Sequence, residues 1–229
     1  MKKGKIAITE AQISDIDTSV FPTERSKNGK NIKKSLKLGK TKTDLSGNEV
    51  TRGRAAVEDA VEEQGFRIND DGDIEADEPI VQVVTEVADF FTVDEEYVVT
   101  QSTKKTFVFD LLERSSGTPV RSVTLDLESF IEGNPDAGYW LAGVYNRDED
   151  ANSANAYGED NVFNDEEIGD ILRNSDKNRI GVKFVFENSE VKMLITESGY
   201  VQVYRPSDYD TLQFKRLLDE VILPHAYVS

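Results

Sequence analysis

Glu190-Val191-Lys192 sets a carboxylate and an amine two residues apart, so on a β-strand both would project from one face. Metal-assisted phosphodiester hydrolysis uses such a pair: the carboxylate holds a divalent ion and the lysine steadies the attacking water. That chemistry needs a second acid on a preceding strand, and none of Asp165, Asp170 and Glu187 has a convincing spacing for it.

Residues 67–78 offer a second candidate, with Gly72 at a turn, Ile74 after it and Glu78 last, the spacing of a calcium-binding loop between helices. Arg67 stands where the first acidic ligand belongs, and a fixed cation there opposes a divalent ion. A β-hairpin or plain turn across Asp71-Gly72 is therefore expected. His225 is the only histidine and cysteine is absent, which excludes a histidine-based triad, a multi-histidine metal site, a thiolate site and a disulfide framework within one chain. His225 is expected at the surface. Gly29-Lys30 and Gly39-Lys40 lack the glycine spacing of a phosphate loop. No cofactor is implied.

Charge is the most informative property. Residues 1–54 hold 13 basic and 6 acidic side chains, a balance of +7, whereas residues 55–229 hold 14 basic and 38 acidic ones, a balance of -24. Only six lysines follow residue 54. A cysteine-free body this acidic fits a salt-rich cytoplasm, that of a halophilic archaeon, or a virus of one, giving a cytoplasmic or virion location. The first residues are too interrupted by polar and acidic side chains for an export leader, and no run is apolar enough to span a bilayer, so no membrane association is expected.

The elements that must position these residues fall into three parts. Residues 1–54 read as a basic extended arm or linker; from Arg25 to Lys42 the bases Arg25, Lys27, Lys30, Lys33, Lys34, Lys37, Lys40 and Lys42 occur without an acid, and only Ile32, Leu36 and Leu38 are strongly apolar. Residues 55–94 read as a helical and hairpin connecting segment, with amphipathic helices over 51–64 and 78–91. Residues 95–229 read as an α+β sheet domain. Strands are expected at 97–101, 106–112, 120–125, 137–145, 182–186, 191–196 and 200–204, and helices at 126–133, 165–172 and from Asp208 or Asp210 to Ile222. Residues 146–164 read as an exposed acidic loop.

Ile180 to Glu187, Glu190 to Thr196 and Ser198-Gly199-Tyr200-Val201, with the helices at 165–172 and around 214–221, resemble one half-repeat of an archaeal TATA-binding protein. Strand alternation would turn Val182, Phe184, Phe186, Val191, Met193, Ile195, Val201 and Val203 toward the helices, and Lys183, Val185, Lys192, Leu194, Gln202 and Tyr204 the other way. The resemblance implies that this second face meets the minor groove of DNA. The two positions matching the family's intercalating phenylalanines are Arg179 and Thr196, and Tyr200 replaces its lysine after Ser-Gly, so duplex kinking is not implied. Lys105 to Asp110 echoes Val182 to Glu187, which makes residues 104–131 a candidate for a degraded earlier copy.

The expected fold is thus α+β: an antiparallel sheet with helices packed on one face, preceded by an extended basic N-terminal arm. The expected function is non-enzymatic binding or assembly, with nucleic acid or a protein partner contacted by the basic arm and by Lys183, Lys192, Gln202 and Tyr204. The rivals are a structural subunit of a virus particle or other multimer using that arm, and a metal-dependent nuclease using Glu190 and Lys192.

Overall fold

The computed structural model describes residues 1–13, 16, 19–22, 28–43, 47, 49–93, 95–145 and 153–228. In chain order its strands and helices are β1 (Lys3–Thr9), β2 (Ser19–Pro22), β3 (Lys33–Thr43), β4 (Glu49–Glu63), β5 (Phe66–Ile68), β6 (Ile74–Ala76), β7 (Ile80–Val93), β8 (Tyr97–Thr100), α1 (Phe107–Ser116), β9 (Val120–Ser122), β10 (Thr124–Leu125), α2 (Leu127–Gly133), β11 (Gly138–Tyr145), β12 (Ser153–Tyr157), α3 (Gly169–Asn174), β13 (Asp176–Phe186), β14 (Ser189–Thr196), β15 (Tyr200–Arg205), α4 (Thr211–Leu217) and β16 (Ala226–Tyr227). The chain is mainly β.

Twelve strands make one antiparallel sheet, in the order β12-β11-β13-β14-β15-β1-β8-β7-β4-β3-β2, with β9 paired to the second half of β1. β1 is the seam. Its first residues pair with β15, Lys3 opposite Gln202 and Lys5 opposite Tyr200, while its other edge pairs with β8, Ile6 opposite Val99.

Successive side chains of the central strands feed two cores on opposite faces of this sheet, as the two-residue period of a strand requires. Ile6, Phe91 and Val99 join a core under α2, α3 and α4 that includes Phe130, Leu172, Val182, Met193, Val203 and Phe214. Ala7, Phe90 and Val98 join a second core under α1 with Leu36, Ala55, Ala88, Phe109 and Leu112. Each large apolar side chain fully buried there contributes about 1.5–3 kcal/mol relative to exposure. Local signals end the helices. Gly117 takes φ +72° and its N–H donates to the Glu113 carbonyl at 2.8 Å, stopping α1. Asp210 and Gln213 form a reciprocal capping box at the start of α4.

The architecture corrects the α+β expectation in three ways. Residues expected as helices at 51–64 and 78–91 are β4 and β7, paired without a break from Val50 opposite Val93 to Glu63 opposite Ile80. Val57, Val61, Val81, Val83, Val84, Thr85 and Val87 are β-branched and suit a pleated ribbon better than a helix. The strand expected at 106–112 is instead α1, because Val108, Phe109, Leu111 and Leu112 make an apolar helical stripe against the sheet. With that, the echo of Val182–Glu187 in Lys105–Asp110 joins a strand to a helix and has no structural counterpart. Helices consequently cover parts of both sheet faces.

The expected N-terminal arm is also folded into the sheet. β1 lies at the centre, and β3 pairs with β4 from Lys34 opposite Val57 to Thr43 opposite Glu49. One apolar residue in two is enough for a strand to contribute to a core, and Leu36 is fully buried beneath α1. Within the expected loop at 146–164, β12 adds an edge strand to β11 and residues 162–164 make a 3-10 turn. Residues 146–152 lie outside the described residues.

Candidate interaction surfaces

Among the described residues no helix covers one wide stretch of the sheet. Across β11, β13, β14, β15 and β1, the side chains alternate with the buried set Ile180, Val182, Met193, Ile195, Val201 and Val203. Pairing aligns them in rows: Arg179 opposite Thr196, Lys183 opposite Lys192, Leu194 opposite Gln202, and Gln202 in turn opposite Lys3. Lys183, Lys192, Gln202 and Tyr204, expected from alternation to share a face, do so.

Like charges directly across a strand pair repel, and here the two lysines have separate partners. The Lys192 ammonium lies 4.4 Å from the centroid of the Trp140 ring, and Lys183 reaches Asp160 at 4.0 Å. A bulge in β11 between Tyr139 and Leu141 turns Trp140 over Gly181, where even a methyl group would collide with the indole. Tyr204 meets the indole edge-on at 5.9 Å, and a second irregularity sets both Tyr204 and Arg205 beside Lys192. The Trp140 Nε1–H is shielded from solvent and has no hydrogen-bond acceptor among the described residues. Tyr200 donates to Gln202 Oε1 at 3.0 Å, and partial burial raises its phenol above the usual tyrosine range, so it stays a donor.

The face therefore gathers Lys3, Lys5, Arg179, Lys183, Lys192 and Arg205 around Trp140 and Tyr204, in a chain of net charge -17. Sequence reasoning missed Trp140 because the strand expected at 137–145 carried no assignment of its side chains to either face. The available signal was that the chain's single tryptophan falls within a predicted strand.

The remaining basic candidates are elsewhere. Lys34 is half-buried on the α1 side of β3, while Lys30, Lys33, Lys37, Lys40 and Lys42 are exposed, with Lys37 opposite Arg54 on β4. β3 is six strands from β14, about 29 Å at 4.8 Å per strand, so the two basic groups make separate patches. Arg25 and Lys27 lie outside the described residues.

A second surface is a ribbon. The β3 ladder stops at the Lys34–Val57 pair, but β4 and β7 continue and are extended by the β5–β6 hairpin, about 35 Å further at ~3.3 Å per residue. The tip is well ordered by its own bonds: Asn69 accepts from the amides of Asp71 and Asp73, Gly72 takes φ +88°, and Arg67 pairs with Glu75 at 3.1 Å. The turn expected across Asp71-Gly72 is present. Phe66, Ile68 and Ile74 are nevertheless 68 %, 74 % and 75 % exposed, and Ile80, Val83, Val84 and Val87 are exposed behind them. Residues 58–78 add ten acidic side chains against Arg67 alone.

Among the described residues no group of three or more acids, histidines or cysteines is placed to hold a metal ion. Glu187 pairs with Arg216, Asp170 with Arg173, and Asp165 caps the turn before α3 through the amides of Glu167 and Ile168, so none joins Glu190. His225 is half-buried, its Nδ1 2.8 Å from the Ser129 hydroxyl. A pocket of 590 Å³ beside the start of β1 contains Arg52 and Arg54, but Arg52 donates to Thr211 and Arg54 pairs with Asp89 at 2.7 Å. No helix among the described residues is long and apolar enough to cross a membrane.

No family model matches the chain, and no curated protein or solved structure matches it either.

Proposed function

We propose that this protein is a non-enzymatic assembly subunit that associates with copies of itself through the ribbon formed by β4 to β7. The carrying observation is the exposure of Phe66, Ile68 and Ile74 at the end of a well hydrogen-bonded hairpin. Contiguous apolar side chains on a protruding strand pair are an aggregation hazard in a monomer, and become an asset once a partner covers them. The chain also carries a basic, aromatic sheet face that suits an acidic, apolar partner.

Composition supports a setting of strong salt. At about 1 M ionic strength attraction between separated charges fades within ~3 Å, while salting-out ions strengthen apolar burial. A subunit of a shell, tube or filament, such as a virus particle, would gain from contacts of the second kind. Light scattering of the full chain tests the reading. A mass above that of one chain is expected, falling to one chain when Ile68 and Ile74 are both replaced by serine. A wild-type protein that stays a single chain at every salt and protein concentration would sink it.

A second reading is favoured by the basic face alone. Arg179, Lys183 and Lys192 beside Trp140 and Tyr204 combine cations with stacking surfaces, as single-stranded nucleic-acid sites do. Such binding would weaken steeply as salt rises.

A further inference from the structure

Building on the assembly reading, we infer that the ribbon of one copy lies across the open face of β11, β13, β14, β15 and β1 of the next copy, in a head-to-tail contact. The two surfaces match in charge and in character. Residues 58–78 carry ten acids and one base, and among the described residues the open face carries six cations, with Glu190 and Asp160 beside Lys192 and Lys183. Phe66, Ile68 and Ile74 at the tip need apolar ground, and the face supplies Trp140, Leu194, Tyr204 and the 72 % exposed Val185. Acidic side chains are the wrong approach to DNA and the right one to this face.

A copy cannot satisfy itself. β7 is four strands from β14, and the ribbon runs on along the strand direction as an unbroken ladder from Val50–Val93 to Glu63–Ile80. Ribbon and face are different surfaces, so the contact is heterologous: each copy gives a ribbon and receives one, and repetition closes into a ring or continues as a filament. In strong salt the apolar tip supplies the affinity. The charges act only at contact distance and fix the register, which is why both kinds of side chain occupy both surfaces.

The test uses two full-length variants and their mixture. Arg179→Glu with Lys183→Glu spoils the face without touching the Trp140 ring, and Ile68→Ser with Ile74→Ser spoils the ribbon. Circular dichroism and Trp140 emission establish that both fold; should the face pair not fold, Val185→Glu replaces it. At about 0.5 M salt, where charges still act over roughly 4 Å, wild type is expected to form large multimers, and each variant alone to stay a single chain with association weakened at least tenfold. Mixed together they retain one intact ribbon and one intact face, so they should stop at a two-chain complex.

If the face variant still multimerises, or the mixture forms no complex, the docking is overturned while self-assembly stands. A monomeric wild type overturns the assembly reading beneath it. Binding of a mixed-sequence DNA that Arg179→Glu with Lys183→Glu abolishes, with self-association unchanged, would reassign the face to nucleic acid and also overturn the docking.

Discussion

The Lys192 ammonium sits over the face of Trp140, 4.4 Å from the ring centroid, on strands β14 and β11 that are separated by β13. This contact lets a second lysine, Lys183, stand directly opposite Lys192 without a bridging acid between them. It also makes the chain's only tryptophan a reporter of the open face.

Lys192→Met should keep the fold and lower stability by about 0.5–1 kcal/mol, the usual worth of a partly exposed cation–π pair. Chemical denaturation followed by Trp140 emission measures both the loss and the changed surroundings of the indole. Unchanged stability together with an unchanged emission maximum would show that the ammonium does not rest on the ring.

Leu36→Ala addresses the segment that looks like a solvated arm. Because Leu36 is fully buried with Ala55, Ala88 and Leu112, the truncation should cost about 2–5 kcal/mol. A solvated arm would tolerate the change within about 0.5 kcal/mol. Thermal or denaturant unfolding decides between the two.

Gly53 lies opposite Phe90, and a Cβ added there would overlap the phenyl ring. Gly53→Ala should therefore destabilise by about 1–3 kcal/mol through overpacking. Adding Phe90→Leu to make room should recover part of the loss, and the double-mutant cycle reads the coupling. Additive effects of the two changes would disprove the contact.

Glu187 and Arg216 join the β13–β14 turn to α4 by two hydrogen bonds of 2.6 and 2.9 Å, and the guanidinium holds the Glu187 carboxyl below the usual glutamate range. A carboxyl lowered in the folded state adds stability above its unfolded pKa, and that contribution disappears as pH falls through the folded value. Both side chains are substantially solvated, so the contribution should be no more than about 0.5 kcal/mol. Glu187→Gln should therefore lower stability slightly at neutral pH and leave it unchanged in acid. A deficit of the same size at pH 7 and at pH 3 would separate the effect from ionisation.

Much of the second half of the chain is legible from local pattern. Val182 to Phe186, Val191 to Thr196 and Tyr200 to Tyr204 alternate cleanly, short turns separate them, and Asp210 announces the last helix, so strand identity and the side each residue faces follow from a period of two. That is why Lys183, Lys192, Gln202 and Tyr204 could be assigned to one face. The charge division and the absence of any histidine or thiolate chemistry are likewise properties of composition, indifferent to fold.

Long-range pairing settled the rest. Residues 51–64 and 78–91 have apolar spacings compatible with a helix, and only their 14-pair mutual register makes them strands. Lys33 to Thr43 is too polar to order itself, but backbone hydrogen bonding to β4 needs no apolar side chain, and the face turned to α1 holds Leu36 fully buried with Leu38 packed beside it. The β11–β13 pairing that sets the Trp140 ring over Gly181, and the end of the β3 ladder that leaves Phe66, Ile68 and Ile74 in solvent, arise between strands distant in sequence. The propensity of a residue describes its own backbone, whereas these features depend on which strand lies beside it.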